Sequence, residues 1–283
     1  MADAPKPVSS YRSRPPDASG RVAYSRADDA VWALLHERQQ ATVARHACAE
    51  FRAGLRLLDL PPDRVPQLPE VSARLRRASG WEVVAVPALI PFSEFFTLLS
   101  KRRFPAATFI RRREHLDYLQ EPDIFHELFG HAPLLTQPDF AAFTQRYGEI
   151  GLAATREERA FLARLYWFTV EFGLVGGGDA VAGEAVADGS TSSGDVRIYG
   201  GGILSSPAET AHAIGPLAQR RPFALIEVLR TPYRIDQLQP LYYCLSSLAE
   251  LQSLTRLDLL AAVAEARRLG LQAPLFPARP LAA

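Results

Sequence analysis

Apolar and polar positions along this chain fall into helical spacing far more often than into alternation. From Asp28 to Leu58 the pattern reads as helix: Val31, Leu34 and Leu35 begin an apolar stripe, and Asp28 and Asp29 suit the positive end of a helix dipole. Pro61, Pro62, Pro66 and Pro69 make a stiff connector. A second helix is expected to follow and to stop at Gly80, behind Arg76 and Arg77. The segment from Trp81 to Pro87 is the best strand candidate, and Ala107-Thr108-Phe109-Ile110 is a second. Ser93 is expected to cap a short helix that runs to Ser100. Thr155-Arg156-Glu157-Glu158 is a capping box that opens another helix, and Ser206-Pro207-Ala208-Glu209 repeats the device with proline at the first helical position. A last helix is read from Thr255 to Leu269, closed by Gly270. These elements predict a mainly α fold with a small β component, in one domain and without internal repeats.

Two segments break the pattern. Residues 1–24 are polar and proline-bearing and are expected to be disordered or loosely draped, leaving 25–283 as the folded domain. Residues 176–195 are rich in Gly, Ala, Ser and Asp without periodicity, and read as an inserted flexible loop. At 283 residues and 48% hydrophobic, the chain is long enough to bury a large single core. Its formal charge of +1 gives no electrostatic reason to expect nucleic acid or an anionic membrane as partner. No run approaches the roughly 18 apolar residues of a membrane helix, and the first residues lack the apolar centre of a secretion signal. Cys48 and Cys244 suit a reducing compartment, so a cytoplasmic location is expected.

The chemistry concentrates in His126-Glu127-Leu128-Phe129-Gly130-His131 and in Glu171, which stands alone in the apolar run Tyr166-Trp167-Phe168-Thr169-Val170-Glu171-Phe172. Two imidazoles and one carboxylate on one face of a metal are the ligand set of a non-haem iron(II) oxygenase. Residues five apart on an α-helix are rotated by roughly 140°, so both rings face one ion only if the helix loosens or ends between them. Gly130, a poor helix former, stands there. A carboxylate buried among Trp167, Phe168, Val170 and Phe172 would be costly without a partner, and a metal is such a partner. The rival readings are two hydrogen-bonded core histidines, or a zinc hydrolase built on the same three ligands. The missing HExxH pattern argues against the hydrolase.

Three longer blocks surround these residues: Tyr118-Leu119-Gln120-Glu121-Pro122-Asp123-Ile124-Phe125-His126 running on to Leu134, Leu165 to Leu174, and Ile198-Tyr199-Gly200-Gly201-Gly202-Ile203-Leu204-Ser205-Ser206. In sequence and order they resemble the signatures of the pterin-dependent aromatic amino acid hydroxylases, above all the short bacterial members, with the likeness running from about Asp28 to Phe276. The resemblance implies Fe(II) on His126, His131 and Glu171, a tetrahydropterin co-substrate, and hydroxylation of L-phenylalanine to L-tyrosine with O2. It also implies that Arg111 grips the amino acid's carboxylate, that Gly202 and Ser205 line the same end, and that Trp167 walls the ring pocket. Leu89 and Ile90 match backbone that meets the pterin edge, Phe95 the ring it stacks on, and Glu127 and Tyr166 groups on the pterin or oxygen side. Ile235 stands where tyrosine hydroxylases carry aspartate, and Trp167 where tryptophan hydroxylases carry a smaller Phe. Both differences favour phenylalanine.

Read without the resemblance, Arg111 would belong to the solvated charge run Arg111-Arg112-Arg113, and Phe95 and Trp167 would be core. A pterin- or amino-acid-binding regulator without turnover is the rival outside catalysis. The loop at 176–195 departs from the family pattern close to Glu171. Pro277-Ala278-Arg279-Pro280 cannot continue the tetramerisation helix of animal members, and a monomer with small-molecule partners is expected.

Overall fold

A computed structural model describes residues 11–88, 90–117, 119, 121–176 and 196–276. Its first helix, Arg26–His46, begins one turn earlier than the apolar stripe suggests. Ser25 caps it, accepting from the Asp28 amide, while the Asp28 carboxylate accepts from the Ser25 amide. The helix read from Asp28 to Leu58 is two helices. The chain turns extended at Ala47 and Cys48, where the Cys48 amide donates to Ile198 O, and resumes as Ala49–Leu58. Both helices face the same core, so the apolar pattern continues across a break that periodicity cannot register.

The helix Leu68–Ser79 ends at Gly80 as expected, with φ +78°. Glu82–Val86 pairs in parallel with Arg103–Ala107, so the second strand lies earlier than the expected 107–110. The reason is the N-terminal segment, which from Tyr11 onward packs on the domain and is not the disordered arm expected. Thr108 N–H donates to Ser13 Oγ, its hydroxyl donates to Arg14 O, and its carbonyl accepts from Tyr24 Oη. Tyr11 stacks on Phe109 at 4.7 Å, and its hydroxyl accepts from the Arg112 amide. Backbone groups that would extend the strand past Ala107 are thus taken by residues 11–24. Enough apolar and aromatic surface is buried (Tyr11, Val22) to hold a proline-bearing segment in place.

Between the two paired strands lies the helix Phe92–Ser100, with Pro91 rather than Ser93 at its N-cap. It packs closely on Pro138–Ala153, where a Cβ on Gly151 would stand 2.1 Å from the Phe96 ring. Arg156–Tyr166 opens with the Thr155 capping box and runs on to Glu171. A four-stranded sheet follows, in the order Arg197–Ile198, Leu174–Val175, Leu241–Leu245, Gln219–Pro222. Helices Gly201–Leu204, Pro207–Ile214, Leu225–Arg230, Ala249–Leu254 and Leu259–Leu269 complete the elements of the described residues. The last starts at Leu259, not Thr255, because Asp258 caps it by accepting from the Ala261 amide. Helical elements predominate, and no helix of the described residues is long and apolar enough to cross a membrane. The expected inserted loop falls, from residue 177 to 195, outside the described residues.

Candidate active site

Both ligand-bearing segments are π-helical. His126–His131 and Trp167–Glu171 wind with i→i+5 hydrogen bonds, among them Ala132 N–H to Glu127 O and, at 2.8 Å, Phe172 N–H to Trp167 O. The wider wind brings residues five apart back to one face, which an α-helix would not do. That is the loosening the spacing of His126 and His131 requires. Gly130 has a second role here, because a Cβ on it would stand 2.6 Å from Gly201 O.

Three donor atoms converge as a result. His126 Nε2 and His131 Nε2 are 2.9 Å apart, and Glu171 Oε2 lies 3.6 Å from the first and 3.3 Å from the second. Cis donors bound at about 2.1 Å to one ion are separated by about 3.0 Å, so the triangle has the size of one octahedral face. Burial pushes His126 down to about 4, which keeps its imidazole neutral at pH 7. Burial would raise Glu171, but the facing His131 and His126 outweigh it and hold the carboxyl below its ordinary value. The carboxylate oxygen and the two imidazole nitrogens thus converge on the place of a shared cation, either a proton on an imidazole, which the low His126 value disfavours at neutral pH, or a metal ion. The residues present fit a divalent metal.

The neighbours orient the ligands. Ser205 Oγ donates to Gly201 O at 2.8 Å and so accepts from His126 Nδ1 at 2.9 Å, leaving the lone pair on Nε2 toward the triangle. Gly201 and Gly202 leave room for ligand side chains. A Cβ on Gly201 would sit 2.5 Å from His131 Nδ1, and one on Gly202 2.9 Å from Glu171 Oε2. Gly201→Ala should therefore turn the His131 ring and weaken iron binding by about 10- to 100-fold, measured by metal titration. Unchanged affinity would mean that the ring has space the geometry denies it.

Arg111 leaves the charge run entirely. It is buried at 3% exposure, while Arg112 and Arg113 face solvent. Its Nε and Nη2 donate to the two oxygens of Asp123, each at 2.9 Å. Asp123 Oδ1 also accepts from the His126 amide, capping the ligand helix, and Oδ2 from the Arg111 amide. Burial would raise the Asp123 carboxyl, but Arg111 outweighs it and holds it low. Sequence reading missed Asp123, although an Asp three residues before a helical His is a capping pattern.

These groups open on a cavity of about 370 Å³. Arg111, His126, Glu127, His131, Tyr166, Trp167, Glu171, Gly202 and Ser205 line it, as do Ile90 and Phe95. Trp167 is held between Tyr233 (4.4 Å, 18°) and Phe172 (4.4 Å, 32°), and its Nε1 donates to Gln239 Oε1. Phe95 meets Tyr166 edge-on at 5.4 Å. Burial, with Glu171 and Asp123 adding to it, pushes Glu127 well above its ordinary carboxyl value, which favours its protonated form. Leu89 lies outside the described residues. Ile235, expected at the substrate, is instead 50% exposed and does not line the cavity. The loop turns it outward, and Tyr233, two residues earlier, takes the wall position. Tyr233 and Gln239 were missed because nothing in their local sequence distinguishes them.

A family model described as biopterin-dependent aromatic amino acid hydroxylase matches residues 8–260. A phenylalanine-4-hydroxylase of Pseudomonas aeruginosa is 52% identical over 267 residues, covering 94% of this chain and 96% of the relative. The apo structure of the cold-active phenylalanine hydroxylase from Colwellia psychrerythraea 34H is similar at TM-score 0.85 and 49% identity, covering 93% of this chain and 97% of its own. A Chromobacterium violaceum phenylalanine hydroxylase structure with bound iron(III) and oxidized cofactor 7,8-dihydrobiopterin gives 0.80 at 37% identity, covering 94% and 93%.

Proposed function

Since this chain belongs to the biopterin-dependent aromatic amino acid hydroxylases, we propose that it is the Fe(II)- and tetrahydropterin-dependent monooxygenase that converts L-phenylalanine to L-tyrosine with O2. The observation that carries the reading is the His126, His131, Glu171 triangle facing an aromatic-walled cavity with a buried arginine at its edge.

When bound, iron and tetrahydropterin supply the redox chemistry of O2 activation. The chain's own part is position and the exclusion of water. Arg111 spends Nε and one Nη edge on Asp123, so its remaining edge would meet the carboxylate of the amino acid. Asp123 keeps that guanidinium in place and neutralises it. Trp167, backed by Tyr233 and Phe172, walls the phenyl ring. Glu127 and Tyr166, both pushed up by burial, line the cavity and would meet the pterin side. Phe95 and Ile90, both on the cavity wall, offer apolar surface for a stacked pterin ring. We assign the protein to the cytoplasm, which fractionation of the cell tests, and infer a monomer, which sedimentation at working concentration tests.

Incubating the protein with Fe(II), tetrahydropterin, O2 and each aromatic amino acid should yield tyrosine from phenylalanine, and Zn(II) in place of Fe(II) should yield none. Tyrosine formed equally well with Zn(II), or no product with iron, would sink the reading. Specificity then rests on Trp167. Trp167→Phe should raise the kcat/KM of tryptophan relative to phenylalanine by about tenfold, a typical value for space in an apolar pocket. A ratio that does not move in a competition assay would remove Trp167 from the pocket wall.

A further inference from the structure

Gln239 is a buried side chain, 1% exposed, that the reaction does not touch. Its Nε2 donates to two backbone carbonyls, Arg234 O at 2.7 Å and Gln237 O at 3.0 Å, and its Oε1 accepts from Trp167 Nε1 at 3.1 Å. Both amide protons are therefore spent, and the oxygen can point only at the indole. Turning the amide over would set Oε1 against two carbonyl oxygens and Nε2 against an N–H, three repulsive contacts at once. The backbone at Gln239 is held as well, since its N–H donates to the buried Glu209 carboxyl and its carbonyl accepts from His212 Nε2 at 2.9 Å. The Glu209 carboxyl in turn accepts from Tyr242 Oη at 2.8 Å.

Trp167 needs such a fixture. Tyr233, stacked on the indole at 18°, sets its plane, and Phe172 lies tilted against it at 32°, but neither contact stops rotation within that plane. A hydrogen bond at Nε1 removes that freedom. We propose that Gln239 is a specificity-determining positioning residue, which acts through Trp167 by locking the in-plane rotation of the indole that walls the substrate ring. The inference rests on the assignment of Trp167 to the phenylalanine pocket made above.

Steady-state kcat and KM for phenylalanine and tryptophan test it in iron-loaded wild type, Gln239→Leu, Trp167→Phe and the double variant. Gln239→Leu should lower the phenylalanine-to-tryptophan ratio of kcat/KM by about tenfold, chiefly through the KM for phenylalanine. In the Trp167→Phe background, where no indole remains to hold, the same change should move the ratio by less than about twofold. An unchanged ratio in Gln239→Leu, or an equal change in both backgrounds, would overturn the proposal and leave Gln239 a structural residue. If Gln239→Leu does not fold, Gln239→Met decides, because it keeps the length and volume of the side chain and offers the indole no acceptor. Its ratio should fall by about tenfold as well, and an unchanged ratio overturns the proposal. Failure of the wild type to form tyrosine would count against the assigned reaction instead.

Discussion

His131→Ala and Glu171→Ala should each abolish tyrosine formation and weaken iron binding by at least about 100-fold, the upper end of what loss of a mere supporting group costs a metal site. Each removes one of three donors that form a single face. The test does not depend on turnover alone. Fe(II) at about 100 times its Kd adds about 2.7 kcal/mol to a protein that binds it only when folded, so the wild-type Tm should rise on adding iron. Neither variant should show that rise. Glu171→Ala should still fold, because it strands no opposite charge, although it forfeits the attraction to His131. His131→Ala should lose some apo stability, since its ring is buried 5.3 Å from Phe104 and leaves a cavity. Full iron occupancy with normal turnover in either variant would overturn the ligand assignment.

Asp123→Ala should be the most destabilising single change in the site, at about 3 to 5 kcal/mol, because it strands a buried guanidinium. The same carboxylate also serves two backbone amides, at Arg111 and at His126. Urea unfolding with an unchanged m value measures the loss. The double variant Asp123→Ala/Arg111→Met should recover part of that stability while leaving the KM for phenylalanine high, which separates the ion pair from the role of Arg111 toward substrate. Recovery of stability and KM together would show that Arg111 does not hold the substrate. The pH dependence follows from Asp123 being held below its ordinary carboxyl value of 3.8. A carboxyl depressed in the folded state contributes its stability above the unfolded pKa and loses it as pH falls through the folded one. The gap between wild type and Asp123→Asn should therefore be flat from pH 8 to 5 and close only below about pH 4. A gap that closes near neutrality would contradict the buried pair.

The helices at Leu68–Ser79 and Arg156–Tyr166 were readable because their stops and starts are local: Gly80 closes one and Thr155 with Glu158 opens the other. At Ser206 the local signal was half right. Ser206 accepts from the Glu209 amide, but the Glu209 carboxyl turns away from the cap to Tyr242. The strand at 107–110 and the disorder expected of residues 11–24 failed together and for one reason, while residues 1–10 lie outside the described residues. Each was judged alone, whereas Tyr11, Ser13 and Tyr24 satisfy the backbone of Thr108 and the ring of Phe109.

By itself the sequence determined which residues could hold a metal, because a carboxylate in an apolar run and two close histidines carry a cost that a cation relieves. It also determined the mainly helical class, since helical periodicity and capping act within a few residues. Only the tertiary structure decided how the ligands meet. The π turns bring His126 and His131 to one face, and Gly130 lets that segment lie against the backbone of Gly201, a contact that spans 71 positions and has no local signature. The same holds for the choice among three adjacent arginines and for Tyr233 over Ile235. Burial of Arg111 is set by Asp123 on the next segment, and the wall position by stacking on Trp167. These are decisions of packing and charge between distant segments, which a pattern read along the chain does not contain.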